Sequence, residues 1–431
     1  MKATYSRSHP LKSALAGSSH GEASLRFALR AALLCPAVAG ALSAQSPAST
    51  IVLTHATVID GVAAQPMRDA TVVLRDGKIE RIAAGRVDVP AGATVLDLRG
   101  RWVLPGFIDA HAHLRDLPSA RRALVSGATT LRVLGVDHFV DVGMRELSRA
   151  GVADVPDVLA AGYHVRPRPS EALWLDAPMV AAVRDGVSGE EDVRLMVRTL
   201  IERGADVIKI MATERAGLPE TDPRKRVYSE EELAAAVDEA RKSGKTVAAH
   251  AHGDEGGAAA VRAGVRTIEH GTYLSDQTLA LMKEGGTCLV PTIATVSDLI
   301  DPGGDYDDPA LSVRGRAMLP RVREATAHAR TAGVRIIAGT DTDYERESTR
   351  RIPDETVELV RAGMSTMDAI KAATSVAAQC LGIDERTGAL RAGLEADLIV
   401  LDRDPLAAID ALRDVVLVVN NGRIAVNRLS N

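Results

Sequence analysis

Short runs rich in Val, Ile and Ala alternate with amphipathic helical segments along most of this chain. That alternation constrains the fold more than any other feature. The runs include VLPGFIDAHAHL, ADVIKIMAT, TVAAHAHG, VRTIEHGT and RIIAGTD, and EDVRLMVRTLIERG, SEEELAAAVDEARKSG and DEGGAAAVRAG lie among the segments between them. Strands that alternate with helices imply βαβ units and a parallel sheet. Each run also ends on a side chain able to hold a metal: His111 and His113, Lys209, His250, His270, and Asp341. Functional groups at the C-terminal ends of several strands are the arrangement expected of a (β/α)8 barrel. The fold class is therefore read as α/β, with a TIM barrel over residues 105–382.

His111 and His113 carry the first chemical signal. Val103, Leu104, Phe107 and Ile108 read as a short buried strand, with Pro105 and Gly106 shaping its entry. Side chains two apart on a strand share a face, so both imidazoles aim at one point beyond its end. Imidazole suits zinc, iron, nickel and copper. A His-x-His pair alone is short, but six ligand-type residues at successive strand ends form a far more specific pattern. Lys209 adds to it, because a lysine inside DVIKIM is costly unless its head reaches solvent or loses its charge. Burial lowers a lysine's pKa, and a neutral amine can capture carbon dioxide as a carbamate. A snorkelling or Schiff-base lysine is the competing reading.

The stretches flanking the barrel region have a different texture. IVLTHATVID, TVVLRDGKIERIA and ATVLDLRGRWVL, divided by turn signals such as Asp76-Gly77, read as a small β-domain over 45–104. The tail, 383–431, offers ADLIVLDR and VVLVVNNGRIAV, with Asn421-Gly422 as a hairpin turn. Asp298 to Pro309, rich in Asp, Pro and Gly, reads as a flexible insertion.

PGFIDAHAHL, IKI, AAHAHG, EHG, GTD and GALRAGLEADLIVLDRDP follow one another in order. With them the chain, from about residue 51 to its end, resembles the amidohydrolase superfamily. The similarity is to the branch of imidazolonepropionase and the metal-dependent Xaa-Pro and Xaa-Arg dipeptidases, which includes ochratoxin-hydrolysing relatives. The resemblance implies that the strands at both chain ends join in one β-sandwich beside the barrel. It implies two divalent metal ions, zinc by expectation, held by His111, His113, Lys209, His250, His270 and Asp341, with carbon dioxide fixed as a bridging carbamate on Lys209. Both His250 and His252 lie on one face of a strand end; the resemblance selects His250 and leaves His252 as a substrate contact. Likewise it selects Asp341 over Asp343, a loop cap, and Glu269 is read as supporting the barrel. Tyr228 and His164 are further candidate substrate contacts, with Arg166 and Arg168 in the loop after His164.

The implied activity is hydrolysis of dipeptides, N-acyl amino acids or ochratoxin-type amides with release of a C-terminal amino acid. A metal-bridging hydroxide would attack the carbonyl, and Asp341 would act as general base and then acid. Hydrolysis of cyclic amides, as by imidazolonepropionase, is the alternative, and lactone hydrolysis a third; a binuclear site built on Lys209 weighs against the first of these, whose namesake is mononuclear. A barrel that binds without turnover would show a lost ligand, and all six positions are filled. Relatives in the branch imply a homo-oligomer, octamers among them.

Composition and the N-terminus set the remaining expectations. Only 3% of residues are aromatic and the net charge is −5, which excludes a base-stacking or phosphate-binding nucleic-acid surface. Arg26 and Arg30 precede ALRAALLCPAVAGALSA, an apolar stretch ending in small residues. Residues 1–44 therefore read as a signal peptide cleaved near Ala41 or Ala44, giving a periplasmic or secreted protein without stable membrane association. The stretch is short for a spanning helix, and Leu34 stands before Cys35 where a lipid-anchor site expects a small residue. Cleavage would leave Cys288 and Cys380, whose wide spacing suggests two buried thiols rather than a disulfide framework.

Overall fold

The computed structural model describes residues 50–152 and 154–429; the presequence and Cys35 lie outside the described residues. Its strands, in chain order, are β1 (Thr50–Val58), β2 (Met67–Arg75), β3 (Lys78–Ala84), β4 (Thr94–Asp97), β5 (Trp102–Pro105), β6 (Phe107–Ala112), β7 (Ala128–Val133) and β8 (Asp157–Ala160). There follow β9 (Val207–Met211), β10 (Thr246–Gly253), β11 (Thr267–Tyr273), β12 (Cys288–Val290), β13 (Leu398–Leu401), β14 (Val415–Asn420) and β15 (Arg423–Asn427).

The Val/Ile/Ala runs become parallel strands because helices separate them and cover their faces, except RIIAGTD, which makes only single bridges, at Ile336 and at Thr342 just beyond it. β6, β7 and β8 form one parallel sheet and β9 to β12 another. Single parallel bridges connect the two: Val165 to Ile210 on one side, and Leu289 to Ile336 and Ala112 to Thr342 on the other. The helix Glu230–Arg241 shows how sharply the local signals act. Ser229 caps it, accepting from the Glu232 amide at 3.2 Å, while the Glu232 carboxylate accepts from the Ser229 amide at 2.7 Å. This reciprocal pair satisfies two donors that would otherwise be orphaned.

Both chain ends meet in one eight-stranded sheet, ordered β15-β14-β13-β5-β1-β2-β3, with β4 against β1. The junction is β5 with β13, antiparallel, Leu104 opposite Ile399 and Val103 opposite Val400. Its hairpins turn at Asp76-Gly77 and Asn421-Gly422, all four residues at positive φ as a type I′ turn requires. Alternate residues of these strands, among them Leu53, Val72, Leu74, Val103, Leu398 and Leu417, bury against one another in a core of their own.

Two expectations need correction. Cys288, at the start of β12, and Cys380, in the helix Ser375–Leu381, form a disulfide with Cα atoms 6.3 Å apart. The two elements pack in one small cluster with Ile108, Ala110, Val290 and Ile337, and that proximity is invisible in a sequence separation of 92. The Asp298–Pro309 stretch is not a free-standing insertion. Asp298 accepts from the Asp305 amide at 2.7 Å, and Asp305 accepts from Ser348 at 2.6 Å and Thr342 at 3.2 Å. No helix among the described residues is long and apolar enough to cross a membrane.

Candidate metal centre

The parallel strands run the same way, so their C-terminal ends bring the sequence-predicted residues to one place. His111 is the last residue but one of β6, His113 lies one residue past the strand, and the backbone of 340–342 zips onto this end. His111 carbonyl accepts from the amides of Thr340 at 3.0 Å and Asp341 at 2.6 Å, and His113 amide donates to Thr342 at 2.9 Å. Asp341, at φ 56°, turns its carboxylate inward. Its Oδ1 lies 2.9 Å from His113 Nε2 and 3.3 Å from His111 Nε2. Beneath them Asp109 is wholly buried. It accepts from the His111 and Thr340 amides at 3.1 and 3.0 Å, and from the Thr340 and Tyr344 hydroxyls at 2.6 and 2.8 Å.

His250 and His252 come from β10 and His270 from β11. The His252 and His270 rings stack at 4.5 Å between centroids, and His250 meets His270 edge-on at the same distance. Two groups result, His111 with His113 and Asp341, and His250 with His252 and His270. Within each, one ligand atom per residue lies within 4.8 Å of the others. The structure thus draws His252 in as closely as His250. His111 and His270, 5.2 Å apart between centroids, form the wall the groups share. Lys209, on β9 and 1% exposed, stands beside it with Nζ 3.4 Å from His111 Nε2.

Each imidazole is oriented from behind. His111 Nδ1 donates to Glu269 at 2.9 Å, His113 Nδ1 donates to the Gly135 carbonyl at 2.7 Å, and His250 Nε2 donates to the Glu214 carbonyl at 3.1 Å. His252 Nδ1 is hydrogen-bonded to the Thr272 hydroxyl at 2.9 Å and His270 Nδ1 to Thr292 at 2.7 Å. Such partners fix the ring and leave the other nitrogen available to a cation. Glu269, with no exposure, also accepts from buried Arg132 at 2.9 Å, so it holds the scaffold.

The protonation states fit cation binding. Burial, with the Lys209 charge, lowers His111 to about 4, and burial takes His252 to about 3. Burial also pushes His250 and His270 well down. These rings are neutral near pH 7 and keep a lone pair, as metal ligands must. Burial would raise Asp341, but His111, His113 and Lys209 outweigh it and hold the carboxylate ionised. Burial lowers Lys209 to about 8 against the pull of Glu269 and Asp341. His270 Nε2 supplies the direct test: it is buried and has no hydrogen-bond partner. A buried nitrogen left so is costly, and a cation would satisfy it.

The cleft at the cluster is lined by apolar Met211, Ala216, Val296 and Leu299 and by His164, Arg215 and Tyr306. It opens outward past Arg115, Arg166, Asp305 and Asp343. His164 is brought to the site, and Asp343 sits at its mouth, paired with Arg115 at 3.0 Å. Tyr228 is not brought there: it is 2% exposed, and its hydroxyl donates to the Val187 carbonyl at 3.3 Å, away from the cleft lining. Sequence reasoning missed Tyr306 and Arg215. Arg215 lies six residues after Lys209, a spacing that could have flagged it; Tyr306 sits in the loop dismissed as an insertion.

The family model described as "Amidohydrolase family" matches residues 102–425. This chain belongs to the amidohydrolase family. As an amidohydrolase it is a hydrolase of amide bonds, and metal binding accompanies the family. Its similarity to ochratoxinase of Aspergillus niger is 30% identity over 398 residues, covering 81% of each chain. Among solved structures, a Xaa-Pro dipeptidase with methionine bound in its active site superposes with a TM-score of 0.77 at 27% identity, covering 87% of this amidohydrolase and 99% of that chain. The structure of A. niger ochratoxinase gives 0.73 at 27% identity, covering 88% and 96%.

Proposed function

We propose that this amidohydrolase uses two divalent ions, zinc by preference, to release the C-terminal amino acid from dipeptides or N-acyl amino acids, bulky acyl groups of the ochratoxin kind among them. The observation that carries the reading is the pair of three-donor groups sharing one wall beside buried Lys209. One such group suffices for one ion, so the second group favours a binuclear site over the mononuclear one of a cyclic-amide hydrolase.

His111, His113 and Asp341 would hold one ion and His250 with His270 the other, with Lys209 as a carbamate between them. When bound, such ions lower the pKa of water toward neutrality and polarise a carbonyl oxygen. The remaining chemistry belongs to the chain. Asp341, kept ionised by its neighbours, takes the attacking water's proton on a carboxylate oxygen and returns it to the leaving nitrogen. His164 is kept neutral by burial and then by the charges of Lys209 and His113, so its imidazole can donate to the substrate carbonyl or accept from its amide. Met211, Val296 and Leu299 exclude water around the acyl group and raise the worth of each polar contact.

The surrounding organisation follows the same reading. The parallel strands β6 to β12 and the 336–342 segment close a (β/α)8 barrel over 105–382, and 45–104 with 383–431 make one β-sandwich. Residues 1–44 direct export, and copies assemble as a homo-oligomer around small-molecule chemistry, with no nucleic-acid or membrane partner. The test is a mass-spectrometric screen in which the zinc-loaded protein, supplied with bicarbonate, meets dipeptides, N-acyl amino acids, ochratoxin, cyclic amides and lactones. Release of free C-terminal amino acids, abolished by chelation and restored by zinc, is expected. Turnover of rings alone would overturn the substrate class.

A further inference from the structure

Arg166 and Arg215 face the outer part of the cleft from different loops, one after β8 and the other after β9. Both are half-buried. Among the described residues neither guanidinium has a carboxylate within salt-bridge range or an acceptor within hydrogen-bonding distance. Other arginines in comparable settings find acceptors: Arg132 with Glu269, Arg145 with Asp206, Arg323 with Glu358, and Arg314 with the carbonyls of Ala216 and Thr221. Arg115, on the same cleft, is matched by Asp343. Two partly desolvated cations on one cleft without a carboxylate in contact are unfavourable by themselves. Burial first, and then the Arg215 charge, weaken Arg166's hold on its proton, with Asp137 pulling the other way.

The placement gives the pair a direction. Arg215 lines both the inner cavity beside the ligand cluster and the outer cleft, whereas Arg166 lines only the outer part. An anion held by both therefore lies in the outer cleft, adjoining through Arg215 the cavity that holds the ligand cluster. The loop carrying Arg166 is anchored through His164: a β-carbon on Gly135 would stand 2.2 Å from that ring, so only glycine lets the imidazole and its loop approach this closely. Tyr228, whose hydroxyl is committed to Val187, is not available to bind an anion there.

We propose that Arg166 and Arg215 form the subsite for the free carboxylate of the leaving amino acid, and so make a C-terminal carboxylate the determinant of specificity. The inference rests on the amide-hydrolase reading and deepens it. A guanidinium pair suits a planar carboxylate through paired N–H donors. The carboxylate carbon of an N-acyl amino acid is two bonds from the scissile nitrogen, and Arg215 lines the same cavity as the ligand cluster. An acyl group then lies back against the apolar lining.

The experiment uses the zinc-loaded full chain and compares 3-phenylpropanoate with 4-phenylbutan-2-one, its uncharged isostere, by calorimetric titration; neither is hydrolysed. Kinetics with N-benzoylphenylalanine and its carboxamide run alongside. Arg215→Met and Arg166→Met are expected to weaken the carboxylate about 10- to 100-fold and the ketone less than about threefold. The acid-over-carboxamide preference in kcat/KM collapses with it, the loss falling mainly on KM. Arg215→Lys and Arg166→Lys, which keep the charge but not the fork, fall between, provided metal content matches the parent. Unchanged carboxylate preference in both methionine variants would overturn the subsite while amide hydrolysis stands. Arginine-dependent carboxylate binding with no amino acid released from any acylated substrate would instead remove the hydrolytic reading and leave the subsite.

Discussion

Glu269 shows what a single residue does here: fully buried, it accepts from Arg132, His111 and Thr267 at once. Burial would raise its pKa, but Arg132 and then His111 and Lys209 bring it to about 2. Glu269→Gln keeps the shape and strips Arg132 of its anion, so it should cost about 3–5 kcal/mol, read as a lower denaturation midpoint. An unchanged midpoint would mean Arg132 finds another anion. Lys209→Ala should cut amide hydrolysis at least about 100-fold and reduce bound metal, measured by elemental analysis of the purified protein. The six strand-end ligand candidates were legible because each follows its own apolar run in the sequence. Arg132 was not: its partner lies 137 residues away, and only the neighbouring strand positions make them meet. Tyr228 failed for a related reason. Ser229 announces the helix that follows, yet the direction of the tyrosine is set by Val187, which no local pattern reveals.

Among the elements, β12 is the shortest of the parallel strands and is tied at its first residue. The Cys288–Cys380 disulfide fastens it to the helix Ser375–Leu381, bridging 92 residues. Two residues past the strand's end, Thr292 holds the His270 ring. Replacing both cysteines by alanine should lower stability by about 2–4 kcal/mol, measured by denaturant titration under non-reducing conditions. In excess reductant the parent should lose most of that advantage, and equal midpoints in both conditions would dismiss a structural role. Strand and helix identity was largely readable, since periodicity and caps such as Ser229 act locally. Spatial pairing was not, and the disulfide and the anchored Asp298–Pro309 loop are its two clearest casualties. Both depend on which elements pack together, a property of the assembled core rather than of any segment.

At the scale of the whole molecule, the buried imidazoles gathered at the strand ends and the unpartnered His270 nitrogen leave a site that a cation would satisfy. Stripping metal with a chelator should lower the thermal midpoint by several degrees, and zinc should restore it, as binding to the folded state alone requires. The junction between the mixed sheet and the parallel strands carries a second dependence. Burial, then the Asp157 charge, raises buried Asp397 to about 7. Between its ordinary value near 4 and that value the folded protein holds a proton the unfolded chain has released. Its contribution to stability is therefore present at low pH and lost as pH rises through about 7. Asp397→Asn should flatten the fall in midpoint between pH 5 and pH 8, and an identical fall in both proteins would assign it elsewhere. The seam beside it has a consequence in time. β5 is made roughly 290 residues before β13, the strand that covers its open edge. At about 5–20 residues per second, a ribosome leaves that apolar edge unpaired for roughly 15 to 60 seconds. During that interval the growing chain presents a template for mispairing, and its safety depends on how quickly the rest of the polypeptide arrives.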